Sequence, residues 1–97
     1  MELRQLRCFA AVAEELHFGR AAERLHMLPS ALGRQVRLLE EELGAPLLLR
    51  TTRHVALTPA GTLLLREARE ILARAEQAAR AVREMARAVS PVLRIGA

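Results

Sequence analysis

The chain has 97 residues, which is enough for one small domain with a modest core. Hydrophobic residues make up 52% of it, yet only Phe9 and Phe18 are aromatic, so the core is expected to be aliphatic and helical. The sequence contains no apolar run of membrane-spanning length and no signal-peptide pattern. Its single cysteine excludes an internal disulfide and argues against a zinc site. A chain without disulfides favours a cytoplasmic location.

The charge is carried by arginine and glutamate alone, because the chain has neither lysine nor aspartate. The net charge is +4, and the sequence pI is about 11.2. No acid occurs between Glu23 and Glu40 or between Glu42 and Glu67, although arginines lie in both windows. This distribution indicates two places where the chain meets an anion such as phosphate.

The first two predicted elements are helices with one apolar face each. Apolar spacing predicts a helix over residues 3–16 that ends near residues 17–19, where a glycine can close it. A short helix is predicted over residues 19–26. Its Ala21 and Ala22 form a buried face that another helix can approach closely.

A third helix is predicted to begin at Pro29 and to end at Gly44. Proline suits the first helical turn, where its missing N–H has no partner within the helix, and glycine suits the C-terminal cap. The predicted buried positions are Leu32, Val36, Leu39 and Leu43. The opposite, exposed face carries Ser30, Arg34, Arg37, Leu38 and Glu41, with Gly33 on its flank.

Residues 46–57 predict a small β-hairpin, because two short apolar runs flank a polar turn at Thr51–His54. A long helix is then predicted over residues 59–89, with Thr58 as its N-cap and Ser90–Pro91 as its end.

This long helix carries an apolar heptad repeat. The repeat could pack on residues 1–58 of the same chain, here called the head. However, the predicted helix of about 31 residues spans roughly 46 Å, which is longer than so small a head can cover. The repeat therefore favours a seam, a contact surface between the long helices of two subunits in a dimer. The predicted seam residues are Leu64, Ala68, Ile71, Ala75, Ala78, Val82, Met85 and Val89.

The order of the predicted elements indicates a mainly α fold, a winged helix-turn-helix over residues 1–58. This order is helix, short helix, tight turn, helix and hairpin. The helix-turn-helix covers about 18–37 and the wing about 46–57. An exposed helix with arginines can enter a major groove, and a β-ribbon can bring an arginine to a minor groove.

The segments "FGRAAERLH", "RQVRLLEEELG" and "LTPAG" resemble the N-terminal domain of LysR-type transcriptional regulators, over residues 1 to about 61. The resemblance implies a linker helix that pairs two subunits, a tetramer at full length, and a separate effector domain that binds a small-molecule inducer. "LRIGA" is similar to the first strand of that domain, so residues 90–97 are expected to begin it. No cofactor is expected in this chain.

The third helix departs from the family pattern in its first turns. Leu28 has no side-chain oxygen to cap the helix, Pro29 replaces a base-reading glutamine, and Gly33 replaces a serine that usually faces DNA. The positions that match the family are Ser30, Arg34 and Gln35.

The resemblance and the charge distribution together give a set of candidate DNA contacts. These are Pro29, Ser30, Gly33, Arg34, Gln35, Arg37, Arg50, Thr51, Thr52 and Arg53. Two assignments stay open: Arg37 contacts phosphate or pairs with Glu41, and Ser30 contacts phosphate or helps to cap the helix.

The predicted function is sequence-specific binding of double-stranded DNA by a dimer on inverted half-sites. The alternative is a coiled-coil interaction module, which explains the long helix but not the acid-free windows. An enzyme is disfavoured, since the sequence offers no nucleophile–base pair, phosphate loop or metal cluster. No membrane partner is expected.

Overall fold

The computed structural model describes residues 1–51 and 53–96, and for residues 89–96 only the helical backbone. Three helices come first, then a hairpin, then one long helix. In chain order these are α1 (Leu3–Glu15), α2 (Phe18–Leu25), α3 (Pro29–Leu43), β1 (Leu48–Arg50), β2 (Val55–Leu57) and α4 (Pro59–Gly96). This order confirms the predicted mainly α, winged helix-turn-helix fold.

The end of α1 lies earlier than its glycine suggests. Leu16 takes the left-handed conformation, with a φ of 52°, and its N–H donates to the Val12 carbonyl. Gly19 lies inside α2, which His17 caps by accepting a hydrogen bond of 3.0 Å from the Arg20 N–H. The prediction that a glycine at 17–19 closes α1 is therefore wrong, because a non-glycine residue adopts the capping conformation.

The core lies where α1 packs against the other three helices. Its largest fully buried side chains are Leu6, Cys8, Phe9, Val12, Leu32, Val36, Leu39 and Leu47. Ala21 and Ala22 are also buried, as the close approach of α2 requires. Leu43, in contrast, is 43% exposed, so its predicted burial is wrong: the last turn of α3 extends past the core.

Both ends of α3 follow the sequence prediction. The helix begins at Pro29 after the extended residue Leu28, which provides no side-chain cap. It ends at Gly44, which has a φ of 69° and donates its N–H to the Glu40 carbonyl at 2.9 Å. The positive φ at this position is the reason that a glycine stands there.

The hairpin joins α3 to α4 through tight backbone contacts. Its strands are antiparallel, with Leu48 opposite Leu57. The Thr58 hydroxyl accepts from the Gly61 N–H at 2.9 Å and donates to the Pro46 carbonyl at 2.7 Å, which confirms Thr58 as the N-cap. A Cβ on Gly61 would overlap the carbonyl oxygen of Leu47, so the backbones of α4 and the hairpin can meet only at a glycine.

The long helix α4 continues to Gly96, beyond its predicted end at 89. The 38 residues of α4 span about 57 Å, and the chain measures 60 Å in its longest direction. The strand predicted after Pro91 is absent from the described residues, whose only sheet is the two-stranded hairpin. The helix runs through Pro91, although a proline inside a helix removes one N–H donor and crowds the carbonyl four residues earlier. The assignment of residues 90–97 to another domain stays a prediction.

Within residues 1–51 and 53–96, none of the helices combines the length and the apolar character needed to cross a membrane.

Candidate nucleic-acid interface

The outer face of α3 presents two arginines, Arg34 and Arg37, that form no ion pair with any acid among the described residues. Arg34 and Arg37 are exposed, and in the described part of the chain neither has a carboxylate within 4.0 Å. The predicted alternative, a pair between Arg37 and Glu41, is therefore not formed. A shallow groove on this face is lined by Ser30, Ala31, Arg34, Gln35 and Leu38.

A second groove, of about 470 Å³, lies between α3 and the wing. Its lining residues are Phe18, Pro29, Ser30, Gly33, Arg37, Arg50, Thr51 and Val55. Most of the predicted contact residues thus meet in two grooves that share Ser30. The N-cap of α3 is Leu28, and Ser30 lies inside the helix at its second position.

Gly33 leaves the α3 backbone open toward this second groove. A Cβ built on Gly33 would meet no atom within 4 Å. The fold therefore does not require a glycine here, in contrast to Gly61. An open helix backbone allows a ligand to approach more closely than any side chain would permit.

Arg50 is held between two other elements. Its guanidinium carbon lies 4.8 Å from the centre of the Phe18 ring, and its Nη2 lies 3.5 Å from Glu40 Oε1. The other oxygen of Glu40 accepts hydrogen bonds from the N–H groups of Leu47 at 2.7 Å and Leu48 at 3.3 Å. Glu40 therefore links α3 to the start of β1.

Two residues of this arrangement, Phe18 and Glu40, are absent from the predicted site. Their partners are distant in sequence: Phe18 is 32 positions from Arg50, and Glu40 is seven and eight positions from the amides it binds. The available signal is that Phe18 is one of only two aromatic residues and stands first in a short helix.

The wing turn is built on Thr51. The Thr51 hydroxyl accepts from the N–H groups of Arg53 at 3.3 Å and His54 at 2.9 Å, and the Thr51 N–H donates to the His54 carbonyl. These bonds hold Arg53 at the exposed tip, where none of the described acids pairs with it. Thr52 lies outside the described residues.

Glu14 joins α1 to two other helices on a different side of the head. Its carboxylate lies 2.8 Å from Arg24 on α2 and 3.1 Å from Arg69 on α4. Burial raises the pKa of Glu14, but the hydrogen bonds and charges of the two arginines outweigh it, so the pKa is lowered. The pKa of Arg24 is raised, because its hydrogen bond to Glu14 outweighs the lowering effect of partial burial.

Cys8 is a packed thiol in the core, with its Sγ 3.7 Å from the Met27 Sδ. Burial raises the pKa of Cys8, and the nearby charge of Arg4 opposes this effect only in part. The thiol therefore has no activated character.

The predicted seam on α4 divides into a covered and an uncovered part. Ala68 is 0% exposed within this chain and has no surface left for a partner, so its assignment to the seam is wrong: it belongs to the core. Leu64 is half-buried against the same core. Further along, Ala75 is half-buried, Ala78 is exposed, Ile71 is 37% exposed, and Val82 and Met85 are each 69% exposed. The Val89 side chain lies outside the described ones.

Comparison with known proteins decides what this architecture is. The family model for bacterial regulatory helix-turn-helix proteins of the lysR family matches residues 3–62, which is more than half of the chain. The chain belongs to the LysR family. The predicted resemblance is confirmed, and the head of this chain is the family's helix-turn-helix domain.

Curated LysR-family relatives are similar over nearly the whole chain. The transcriptional regulator TtuA of Agrobacterium vitis is 56% identical over 97 residues, and AlsR of Bacillus subtilis is 48% identical over 96 residues. The chain spans about a third of the length of these relatives, 32% in both cases.

Solved structures of LysR-family domains have the same fold. The DNA-binding domain of BenM in complex with catB site 1 DNA matches with a TM-score of 0.85 at 42% identity, over 89% of this chain and 96% of that one. The DNA-binding domain of CbnR in complex with DNA matches with a TM-score of 0.83 at 43% identity, over 89% of this chain and 99% of that one.

Proposed function

We propose that this chain binds double-stranded DNA sequence-specifically, with α3 in the major groove and the wing toward the minor groove. The observation that carries the proposal is the pair of unneutralised arginines, Arg34 and Arg37, on the outer face of α3. An exposed helix of this kind fits the major groove, where arginine donates to guanine or to phosphate. The DNA complexes of the BenM and CbnR domains, which share this fold, support the same use of the surface here.

The contact residues divide by the chemistry that each can offer. Arg34 is the proposed base reader, helped by Ser30 and Gln35, because all three line the outer groove of α3. Arg37 and Arg50 line the groove beside the wing and are the proposed phosphate contacts. The remaining proposed contacts are Pro29 and Gly33 through apolar and backbone surface, Thr51 and Thr52 at the wing, and Arg53 toward the minor groove.

A homodimer through α4 is the second part of the proposal. Ile71, Val82 and Met85 repeat along α4 beyond the part that the head covers, and they expose apolar surface that a second α4 would bury. Two-fold symmetry would place two heads on inverted half-sites. On the family resemblance we also propose an effector domain that follows this chain and binds a small-molecule inducer, a tetramer of the full-length protein, and a cytoplasmic location.

The competing function is a coiled-coil interaction module without DNA binding. The exposed stripe on α4 is compatible with it. However, such a module gives no role to Arg34, Arg37 and Arg53. These arginines lie on α3 and at the wing tip, away from the apolar stripe on α4, and none of the described acids pairs with them.

A titration against duplex DNA at several salt concentrations tests the proposal. Displacement of counterions predicts a linear fall of log affinity with log salt, with several phosphates neutralised per subunit. Replacing Arg34, Arg37 and Arg53 with alanine should reduce this slope. The control replaces Arg74, Arg80 and Arg87 on α4, which removes the same charge elsewhere and should leave the slope nearly unchanged. No binding of the unmodified chain at low salt would refute DNA binding.

A further inference from the structure

Among the arginines that the structure describes, only Arg50 contacts both an aromatic ring and an acid and also lines the groove between α3 and the wing. An arginine that forms an ion pair with a glutamate usually has a structural role, because the glutamate neutralises its charge. Three features of this site argue that the Arg50 guanidinium is still available to a ligand.

The first feature is the engagement of Glu40. One oxygen of its carboxylate already accepts from two backbone amides, and the side chain is only 16% exposed. The remaining contact, from Glu40 Oε1 to Arg50 Nη2, is 3.5 Å long. A charge-assisted hydrogen bond is typically about 2.7–2.9 Å long. The longer contact with Glu40 therefore orients Arg50 but does not use all of the hydrogen-bonding capacity of its guanidinium.

The second feature is the way in which Phe18 meets Arg50. The guanidinium carbon lies over the ring, 4.8 Å from its centre. A cation over an aromatic face uses the π surface and leaves its N–H donors free. The Arg50 side chain is 32% exposed, so some of these donors can reach solvent.

The third feature is the composition of the groove. Its lining residues include Arg37, Arg50 and the hydroxyl of Ser30, and none of its lining residues is an acid. Such a set suits an anion with several acceptor oxygens, and a planar guanidinium with free donors matches phosphate geometry.

We propose that Phe18 is a positioning residue, which holds the Arg50 guanidinium ready to bind one phosphate of the DNA backbone in the groove between α3 and the wing. This inference rests on the proposed DNA binding. Phe18 itself does not touch the phosphate. It holds the Arg50 guanidinium in place before DNA arrives, so that less side-chain freedom is lost on binding.

The test is a double-mutant cycle, read out by fluorescence anisotropy with a labelled random-sequence duplex in a salt series. Arg50→Ala should lower the slope of log affinity against log salt by about one counterion. Phe18→Leu should weaken binding about two- to fivefold, as the loss of one exposed cation–π contact predicts. Phe18→Leu added to Arg50→Ala should cause no further loss. An equal loss from Phe18→Leu in both backgrounds, or an unchanged slope in Arg50→Ala, would overturn the inference.

Conservative variants keep the test decisive if Phe18→Leu folds poorly. Phe18→Tyr retains the ring face and should bind as the unmodified chain does, whereas Arg50→Lys retains the charge but loses the guanidinium over the ring and should bind more weakly. If Arg50→Lys binds as tightly as the unmodified chain, the contact of the guanidinium with the Phe18 ring has no role and the inference is wrong. Arg83→Ala, which removes an ion-paired arginine on α4, is the matched control and should leave the slope unchanged. A chain that binds no duplex at all would instead refute the proposed function.

Discussion

The backbone of Gly61 in α4 lies directly against the carbonyl oxygen of Leu47 at the start of the wing, with no room for a Cβ between them. Gly61→Ala should therefore force the hairpin and the first turn of α4 apart. We expect a loss of about 1–3 kcal/mol in the free energy of unfolding, as overpacking of a tight contact typically costs. Urea denaturation measures it, and an unchanged midpoint would show that the contact can relax.

Gly33→Ala is the matched counterpart, because the same methyl group there meets no atom within 4 Å. Alanine is the better helix former, so the free energy of unfolding should rise by up to about 1 kcal/mol. DNA affinity should fall, since the methyl group would stand between the α3 backbone and the duplex. Higher stability combined with unchanged affinity would remove Gly33 from the proposed contact surface.

Glu14 should make stability depend on pH in the acid range. Its pKa is lowered in the folded chain, so its contribution is fully present above the unfolded value of about 4.3 and is lost as pH falls through the folded value. Glu14→Gln should cost about 0.5–1 kcal/mol at pH 7, as a partly exposed ion-pair network does. This cost should shrink toward zero in acid when unfolding is measured at several pH values.

The control for Glu14 is Glu76→Gln, which removes an exposed ion pair with Arg83 within α4. That pair joins no separate elements, so its loss should change stability less. Equal effects of the two substitutions at pH 7 would mean that the link from Glu14 to α2 and α4 adds nothing.

Arg34→Ala and Arg37→Ala should separate base reading from phosphate contact. Loss of a guanine contact costs about 1–3 kcal/mol at the preferred site and much less on random DNA, whereas loss of a phosphate contact weakens both equally. We expect the first result for Arg34 and the second for Arg37. The measurement is a comparison of affinities for a selected site and a scrambled duplex. An equal loss on both duplexes for Arg34→Ala would make it a phosphate contact.

Substitution of the exposed stripe on α4 should break the proposed dimer. Val82→Glu combined with Met85→Glu places charges where apolar surface would be buried, and sedimentation at micromolar concentration should then give the mass of a monomer. The head should keep its melting behaviour, because both side chains are 69% exposed in the single chain. Glu84→Gln, an exposed polar change outside the stripe, should leave the mass unchanged. A monomeric unmodified chain would contradict the proposal.

Much of this fold follows from local sequence signals. Pro29, Gly44 and Thr58 mark helix boundaries through their own backbone or side-chain chemistry, and each marks the boundary that the structure has. The end of α1 at Leu16 could not be predicted in this way, because a leucine adopts a conformation that usually favours glycine.

The site was less predictable because its geometry depends on partners that are distant in sequence. The exposure of Arg34 follows from the helical wheel, but the contacts of Arg50 with Phe18 and Glu40 need the packed tertiary structure. The burial of Ala68 is a similar case: the heptad repeat predicts an apolar stripe and cannot say which part of it the head already covers.

The bond between Glu40 and the amides of Leu47 and Leu48 fixes the distance between α3 and the wing. The base of the wing and α3 are therefore expected to move together when the chain meets DNA. Under the proposed function, an operator for this chain has its major-groove bases and its narrow minor groove at one set spacing along the duplex. A base pair inserted between these two features should therefore weaken binding even when every contacted base is kept.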